Sequence, residues 1–278
     1  MPCATHGEGP VWDEVADQLR WVDMMAGDVL TLTATGAITR QHVGSVAAAL
    51  RPRAGGGLVV ATERGFALLD PDGNGSVEVP AFADPRARMN DGGVDRQGRF
   101  FCGSMDFDMS DPLGVLYRLD PDLAVGIILT GVTVSNGIAW TRDGARMYYI
   151  DSATRRVDVF DYDVTTGIPS QRRQHVLVEV KAETNVPDGM ALDADGGVWV
   201  AIYGGSEVRR YDADGKLDAV VELPVGQVTA CAFGGDQLAD LFITTSRQDL
   251  PADAEPAAGA LFSVRPGVLG LPTGTFAG

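Results

Sequence analysis

The stretch NGIAWTRDGARMYYID, residues 136–151, decides the fold class of this chain. It begins with an Asn-Gly pair and a short apolar segment, turns at Asp143 and Gly144, and ends in a second segment rich in aromatic residues. Two short strands of this composition around an Asp-Gly turn are typical of an antiparallel hairpin. No part of the chain sustains the 3.6-residue apolar period of a long helix, so the hairpin is the predicted building unit.

The same pattern occurs six times in the 278 residues. The copies begin about 40 to 50 residues apart, which is the repeat length of propeller blades. Each hairpin is flanked by a further pair of short strands, which gives four strands per unit. The copies are GEGPVWDEVADQLRWVD from Gly7, VAAALRPRAGGGLVVAT from Val46, NDGGVDRQGRFFCGSM from Asn90, NGIAWTRDGARMYYID from Asn136, DGMALDADGGVWVAI from Asp188 and TACAFGGDQLADLFITT from Thr229.

We therefore predict an all-β protein, a six-bladed β-propeller with four antiparallel strands per blade. No Pro/Ser-rich linker or charge run divides the chain, so a single domain over residues 1–278 is expected. The segment ALFSV, residues 260–264, is predicted to complete a blade together with residues from the N-terminus.

The composition excludes several classes of partner. Lys plus Arg number 22 and Asp plus Glu 38, a formal charge of −16, which argues against nucleic acid and against anionic membrane surfaces. Three widely spaced cysteines form neither a disulfide framework nor a zinc knuckle. No secretory signal and no apolar run of membrane-spanning length is apparent, so a cytoplasmic protein is expected, either a monomer or a homodimer.

Equivalent positions of successive blades converge on the channel, because the innermost strands line it. The hairpin starts align Glu8, Asn90, Asn136, Asp188 and, less clearly, Thr229. Asn-Gly and Asp-Gly are ordinary turn dipeptides, but here each repeat carries its turn after the first strand. Hard oxygen donors suit Ca²⁺, Mg²⁺ or Mn²⁺, and Zn²⁺ stays open. A cation would also relieve the repulsion between two neighbouring carboxylates. The sequence thus predicts one divalent metal site in the central channel.

Four motifs in order carry a resemblance to a known family. GEGPVW, RMNDGGVDRQGRFFCGSM, SNGIAW with YYID, and VPDGMALDADGGVWVA resemble the senescence-marker-protein/gluconolactonase/luciferin-regenerating-enzyme family, which includes regucalcin. The likeness runs over nearly the whole chain. It implies a six-bladed propeller with one divalent metal in the channel and, as in many members, hydrolysis of sugar lactones.

The resemblance also implies roles for particular residues. Glu8, Asn136 and Asp188 would be the protein ligands of the metal, and Arg88 and Asn90 of the RMND motif would hold the substrate.

Two positions are specific to this sequence. His6 stands two residues before Glu8, where the family usually carries an apolar residue. Some members have an acidic substrate contact after the G-[ST]-M segment, and the loop MDFDMSD offers Asp106, Asp108 and Asp111. Asp108 is the predicted contact.

The predicted function is that of a metal-dependent hydrolase that opens a sugar lactone to an aldonic acid, with Asp188 activating water. One alternative is a phosphotriesterase or arylesterase that uses the same metal. The other is a non-catalytic calcium-binding or ligand-binding propeller. A Ser-His-Asp hydrolase is not expected, because the sequence has no G-x-S-x-G motif.

Overall fold

The computed structural model of the chain describes residues 3–33, 35–73, 75–251 and 253–278. Within them, six antiparallel sheets follow one another along the chain, each built from consecutive strands. Blade one has β1 (Gly7–Asp13), β2 (Gln18–Asp23), β3 (Asp28–Leu32) and β4 (Ile38–His42). Blade two has β5 (Ala49–Pro52), β6 (Leu58–Ala61), β7 (Gly65–Leu69) and β8 (Ser76–Pro80). Blade three has β9 (Ala87–Val94), β10 (Phe100–Asp106), β11 (Gly114–Leu119) and β12 (Val125–Val132).

The second half of the chain repeats this organisation. Blade four has β13 (Ser135–Trp140), β14 (Arg146–Asp151), β15 (Arg156–Asp163) and β16 (Ile168–Leu177). Blade five has β17 (Val186–Leu192), β18 (Val198–Tyr203), β19 (Glu207–Tyr211) and β20 (Leu217–Glu222). Blade six has β21 (Val228–Gly234), β22 (Asp240–Thr245) and β23 (Phe262–Val264). The predicted six-bladed propeller is confirmed. Five blades have four strands, and the sixth has three in the part of the chain described here.

The helical segments among the described residues are three single turns of 3₁₀ helix, and none of them could cross a membrane.

The last blade closes differently from the sequence-based expectation. Residues 262–264 of the ALFSV segment do form its third strand. The described N-terminal residues, however, add no strand to this sheet. They attach beside it instead, where the backbone N–H of Ala4 donates to the carbonyl of Gly259 over 3.1 Å and that of Arg247 donates to Thr5 over 2.8 Å. His6 also forms an antiparallel bridge with Ser246. ALFSV and the N-terminal residues therefore do meet at blade six, but through backbone contacts and not through an additional strand.

Two side-chain contacts join blades six and one. The Thr229 hydroxyl donates to the carbonyl of Gly7 over 2.6 Å, between the innermost strands β21 and β1. Further out, the rings of Trp12 and Phe242 stack in parallel with their centroids 5.9 Å apart. Stacked and offset aromatic pairs contribute energy beyond the area that they bury. The ring therefore closes by packing between sheet faces, as it does between the other blades.

Apolar residues fill the space between neighbouring sheets. Phe66 of blade two meets Phe100 of blade three edge to face, and Phe101 of blade three packs against Trp140 of blade four. Trp199 of blade five meets Phe233 of blade six in the same way. In blades two and five the second strand is almost entirely buried, whereas most residues of the fourth strand are exposed. Exposure to solvent therefore increases toward the outer strand of a blade. The first strand of each blade contacts the first strands of its two neighbours, so these six strands surround the channel: β1, β5, β9, β13, β17 and β21.

The Asp-Gly turns of the hairpins are held by the aspartate itself. The carboxylate of Asp193 accepts from the N–H of Gly197 over 2.8 Å, the indole N–H of Trp199 over 2.8 Å and Nε of Arg210 over 2.7 Å. Asp95 accepts in the same way from Arg99 and from the hydroxyl of Tyr162. These aspartates, which come after the first strand of each repeat, are structural.

The segment after β23 crosses one end of the channel. Gly270 pairs with Asp193 of blade five, and the N–H of Phe276 donates to Pro52 of blade two over 2.9 Å. The N–H of Ala277 then donates to Gly98 of blade three over 3.0 Å. The ring of Phe276 is fully buried in the core that blades one to three share. This tail covers the end of the channel at which the innermost strands finish.

Candidate functional site

The candidate site lies at the opposite end, where the innermost strands begin. Glu8 is the second residue of β1, Asn90 the fourth of β9, Asn136 the second of β13 and Asp188 the third of β17. All four are buried. Because these strands surround one channel and start at the same end, the fold brings blades one, three, four and five together at this point.

A break in strand pairing lies at each of these four residues. The register shifts between Glu8 and Val11, between Asn136 and Ile138, and between Pro187 and Met190. In blade three, Met89 and Gly92 flank a shift that contains Asn90. Such bulges re-aim side chains and are frequent beside active sites. A bulge, rather than a turn, therefore accounts for the glycine that follows each of Glu8, Asn136 and Asp188.

The glycines at these bulges also allow close packing of neighbouring strands. A Cβ atom on Gly137 would lie 2.9 Å from the carbonyl oxygen of Asp188. One on Gly189 would lie 2.4 Å from Cβ of Ala230. The Asn-Gly and Asp-Gly pairs of the sequence thus let the innermost strands approach at the level of the site.

A chain of hydrogen bonds connects three blades across the site. Nη1 of Arg88 donates to Oδ1 of Asn90 over 2.7 Å, and Nδ2 of Asn90 donates to Oδ1 of Asn136 over 3.0 Å. Nδ2 of Asn136 donates to Oγ of Ser152 over 2.8 Å, and that hydroxyl donates to the carbonyl of Pro187 over 2.6 Å. Each amide is thereby held in one orientation. Ser152, which lies outside the hairpin starts, was not predicted from the sequence.

The two carboxylates of the site are buried without a strong cationic partner. Burial, together with the charge of Asp91, raises the pKa of Glu8 to about 8. Burial, and then the charge of Glu8, raises the pKa of Asp188 well above its usual value. Among the described residues, neither carboxylate forms an ion pair with an arginine or a lysine. A buried carboxylate without a partner is costly.

The donor set fits a hard divalent cation. Glu8 and Asp188 supply two carboxylates that need a positive charge, and Asn136 supplies an amide oxygen. The described residues contain no cluster of three or more His, Cys, Asp or Glu side chains arranged for a metal. A metal site at this place would therefore need the side-chain amide oxygen of Asn136 as its third protein ligand.

Arg88 lies beside these groups with donors to spare. Burial lowers the pKa of its guanidinium to about 10, although Glu8 and Asp188 counteract this. Nη1 donates to Asn90, to the carbonyl of Met89 and to Sδ of Met24, while Nε and Nη2 donate to no described residue. The guanidinium carbon lies 6.0 Å from the ring centroid of Phe107, which begins the loop after β10. A role for Phe107 at the site was not predicted from the sequence. The feature that could have indicated it is an aromatic residue shortly after the G-[ST]-M segment, in a loop.

Two further ionisable residues border the site. Asp91 is buried and accepts from the N–H of Gly92 over 2.7 Å; burial raises its pKa, and the charge of Arg51 opposes this. Nδ1 of His6 lies 2.8 Å from Oγ of Ser246, and Nε2 lies 3.9 Å from Oε1 of Glu8. Burial, and then the charge of Arg88, lowers the pKa of His6 to about 4, so its ring is neutral at pH 7. His6 therefore forms a neutral polar wall beside Glu8.

The loop aspartates do not converge with the other site residues. Asp106 is buried and turns back on its own loop, where its carboxylate accepts from the hydroxyl of Ser110 over 3.1 Å and from the N–H of Asp111 over 3.3 Å. Asp108 and Asp111 are exposed. No contact joins Asp108 to Arg88 among the described residues. Its role as a substrate contact stays a prediction. Thr229, for its part, uses its hydroxyl to close the ring.

Comparison with known proteins places this geometry in a family. Residues 6–247 match the SMP-30/Gluconolactonase/LRE-like region. The chain belongs to this family. Regucalcin of Danio rerio is 38% identical over 285 residues, which cover 98% of this chain and 95% of that protein.

Solved structures of relatives agree with the fold. A luciferin-regenerating enzyme superposes with a TM-score of 0.91 at 30% identity, covering 100% of this chain and 97% of the other. A calcium-binding protein, regucalcin of Agrobacterium tumefaciens, has a TM-score of 0.93 at 26% identity, covering 99% and 95%. The residues that match the motifs of the SMP-30/gluconolactonase/LRE-like family all lie within the matched region. The tail that crosses the other end of the channel lies beyond it.

Proposed function

We propose that this chain is a divalent-metal-dependent lactonase that opens sugar lactones to aldonic acids. The observation that carries the proposal is the gathering of Glu8, Asn136 and Asp188 from three blades beside the Arg88–Asn90 pair. The two buried carboxylates have no ion pair with an arginine or lysine among the described residues, and a cation would balance their charge. Arg88 lies beside them and keeps free donors for an oxygen-rich substrate.

Glu8, Asn136 and Asp188 would hold the cation, with Ca²⁺, Mg²⁺, Mn²⁺ and Zn²⁺ as candidates. When bound, the cation supplies Lewis-acid polarisation of the lactone carbonyl. Arg88 donates to the hydroxyls and ring oxygen of the sugar. Asn90, whose two amide hydrogens are used by Ser135 and Asn136, accepts from a sugar hydroxyl through Oδ1, and the pair fixes the position of the substrate. Membership of a family that includes proteins named for gluconolactonase supports this assignment.

Asp188 would act as the base. Its carboxylate takes a proton from water while the water oxygen bonds to the carbonyl carbon. The ring C–O bond then breaks, the departing ring oxygen takes a proton, and the product is a hydroxy acid whose carboxyl proton goes to solvent. The reaction therefore releases one proton for each turnover at neutral pH.

The test is proton release from gluconolactone and related sugar lactones, recorded above the spontaneous rate. Metal-free protein is compared with protein that has received each of the four cations. The proposal requires a metal-dependent excess on at least one lactone, and a much smaller excess for Asp188→Asn. Absence of any excess with all four cations contradicts lactonase activity.

Calcium binding without turnover is the second candidate. It is favoured by similarity to regucalcins, one of which is described as a calcium-binding protein. The same preparations distinguish it: tight Ca²⁺ binding with no hydrolysis of any lactone supports the binding role. Phenyl acetate and a phosphotriester, assayed in parallel, test for the arylesterase or phosphotriesterase alternative.

A further inference from the structure

A cavity of about 570 Å³ occupies the end of the channel opposite the candidate site. The later parts of the innermost strands form its wall, and residues 271–275 of the tail lie across it. Val94, Ile138 and Met190 contribute apolar surface. Ligand cavities in proteins are typically of this volume, mostly apolar, with a few polar groups that orient the ligand.

Positive charge is concentrated at this cavity although the whole chain carries −16. Arg96 and Arg142 are exposed at its edge, and neither side chain has a hydrogen bond or ion pair with any described residue. Most other arginines of the chain are paired with a carboxylate or a carbonyl oxygen. The carboxylate that lines the cavity, Asp95, is already neutralised by Arg99 at 2.6 Å.

Arg51 adds a buried cation to the wall. Its guanidinium donates to the carbonyls of Leu50 and Gly92, both over 2.6 Å, and forms no ion pair in the described part of the chain. Carbonyl acceptors satisfy its N–H groups without cancelling its charge. The buried carboxyl of Asp91 interacts with Arg51 and offsets part of this charge, so the exposed Arg96 and Arg142 are the main cationic groups of the cavity.

Trp140 adds aromatic surface to the same cavity. Its side chain is nine-tenths buried and its indole Nε1 is enclosed by protein, so the residue contributes apolar surface to the cavity rather than a donor.

An adjoining cavity of about 680 Å³ shares Arg96 and Arg142. Carboxylates also line this second cavity. Asp193 forms an ion pair with Arg210, and Asp143 accepts a hydrogen bond from the hydroxyl of Thr141. The channel-end cavity, with its excess of arginines, is the better anion site.

We propose that the channel-end cavity binds a small organic anion, with its carboxylate or phosphate group between Arg96 and Arg142 and its apolar body against the channel wall. This site is independent of the proposed lactonase reaction. It also uses the tail, of which residues 271–275 lie across the cavity. Arginine is suited to this role because its planar group donates two parallel hydrogen bonds to either oxyacid.

Calorimetric titration of metal-free protein with phenyl phosphate, benzoate and benzyl alcohol tests the proposal. We expect saturable binding of one anion per chain and no binding of the neutral alcohol. Binding of phenyl phosphate alone identifies a phosphate site, and binding of benzoate alone identifies a carboxylate site.

Variants assign the binding to this cavity. The double variant Arg96→Gln/Arg142→Gln replaces two exposed guanidinium groups that have no protein partner among the described residues, so the fold should be retained. The affinity of the cavity for the anion should fall about tenfold or more. Arg265→Gln, which removes an exposed arginine of blade six, should bind as the unaltered protein does. The proposal is overturned by absence of saturable binding at millimolar anion, by equal binding of benzyl alcohol, or by unchanged affinity in the double variant.

Discussion

The side-chain amides of Asn90 and Asn136 are hydrogen-bonded across the boundary between blades three and four, with Nδ2 of Asn90 donating to Oδ1 of Asn136 over 3.0 Å. Asn90 is proposed to hold substrate and Asn136 to hold the cation. The two halves of the site therefore share one hydrogen-bond chain, which continues through Ser152 to blade five. A substitution at one end of this hydrogen-bond chain should therefore alter binding at the other end.

Ser152→Ala should weaken divalent cation binding about tenfold, because Nδ2 of Asn136 loses its acceptor and only the hydrogen bond from Asn90 still orients the amide. Titration of metal-free protein with Ca²⁺ or Mn²⁺ measures the change. Thr154→Ala is the matched control. It removes a hydroxyl from the same 3₁₀ turn, but this hydroxyl donates to the carbonyl of Asp151 and not to a site residue. Equal affinities for both variants would show that Ser152 does not position Asn136.

Asp188→Asn should lower lactone turnover about a hundredfold or more, since the amide cannot accept the proton of water. The metal-free variant should melt no lower than the unaltered protein, because the substitution removes a buried charge next to Glu8. Proton release and thermal unfolding give the two readouts. Full activity in the variant would remove Asp188 from the mechanism.

Arg88→Met should lower kcat/KM for lactones about tenfold, because charge-assisted hydrogen bonds to the substrate are lost while the apolar stem is retained. Arg86→Gln serves as the control. Arg86 lies two residues earlier, is fully exposed and pairs with Asp84, so its loss should leave kcat/KM within twofold. If both variants behave alike, Arg88 does not contact the substrate.

Phe276→Ala should destabilise the protein by about 3–5 kcal/mol, the usual cost of removing a fully buried phenylalanine ring. Leu269→Ala, in the exposed part of the same tail, should cost much less. Denaturant unfolding measures both. Deletion of residues 259–278 removes β23 as well and should abolish cooperative melting; an intact transition would contradict the structural role of this segment.

Asp193→Asn should destabilise the protein at neutral pH, with a difference that shrinks in acid. Hydrogen bonds from Arg210 and Trp199 hold the pKa of Asp193 below its usual value despite burial. A depressed folded-state pKa gives stability that is present above the unfolded value of about 3.8 and is lost as the pH falls through the folded value. Denaturant midpoints at pH 7 and pH 3 test this. An unchanged difference would mean that the carboxylate charge contributes nothing.

Sequence was sufficient for the features that local chemistry controls. Asp-Gly turns and short apolar strands define hairpins without reference to the rest of the chain, so the blades and the alignment of Glu8, Asn136 and Asp188 could be predicted. Both follow from a repeat whose members occupy equivalent places around an axis.

Features that depend on contacts between distant segments could not be predicted. Ser152 occupies no repeat position, and only the packing of blade four against blade five brings it to Pro187. The path of the tail to Pro52 and Gly98, and the three-stranded last blade, depend on contacts between segments far apart in sequence. Asp108 was chosen from three neighbouring aspartates, and loop geometry, which composition does not specify, places it in solvent.

Each sheet is built from consecutive strands, and the first and last blades meet through side chains and isolated bridges. Cutting the backbone in a connection between two blades therefore separates no ladder of strand pairs. The molecule should accept circular permutation at such connections, with its original ends joined by a linker long enough to pass around the outside of the ring. In a propeller in which one sheet combines strands from both ends of the chain, a cut between that sheet's strands and the rest would not be equivalent to a cut elsewhere. Such a propeller would not tolerate circular permutation in the same way.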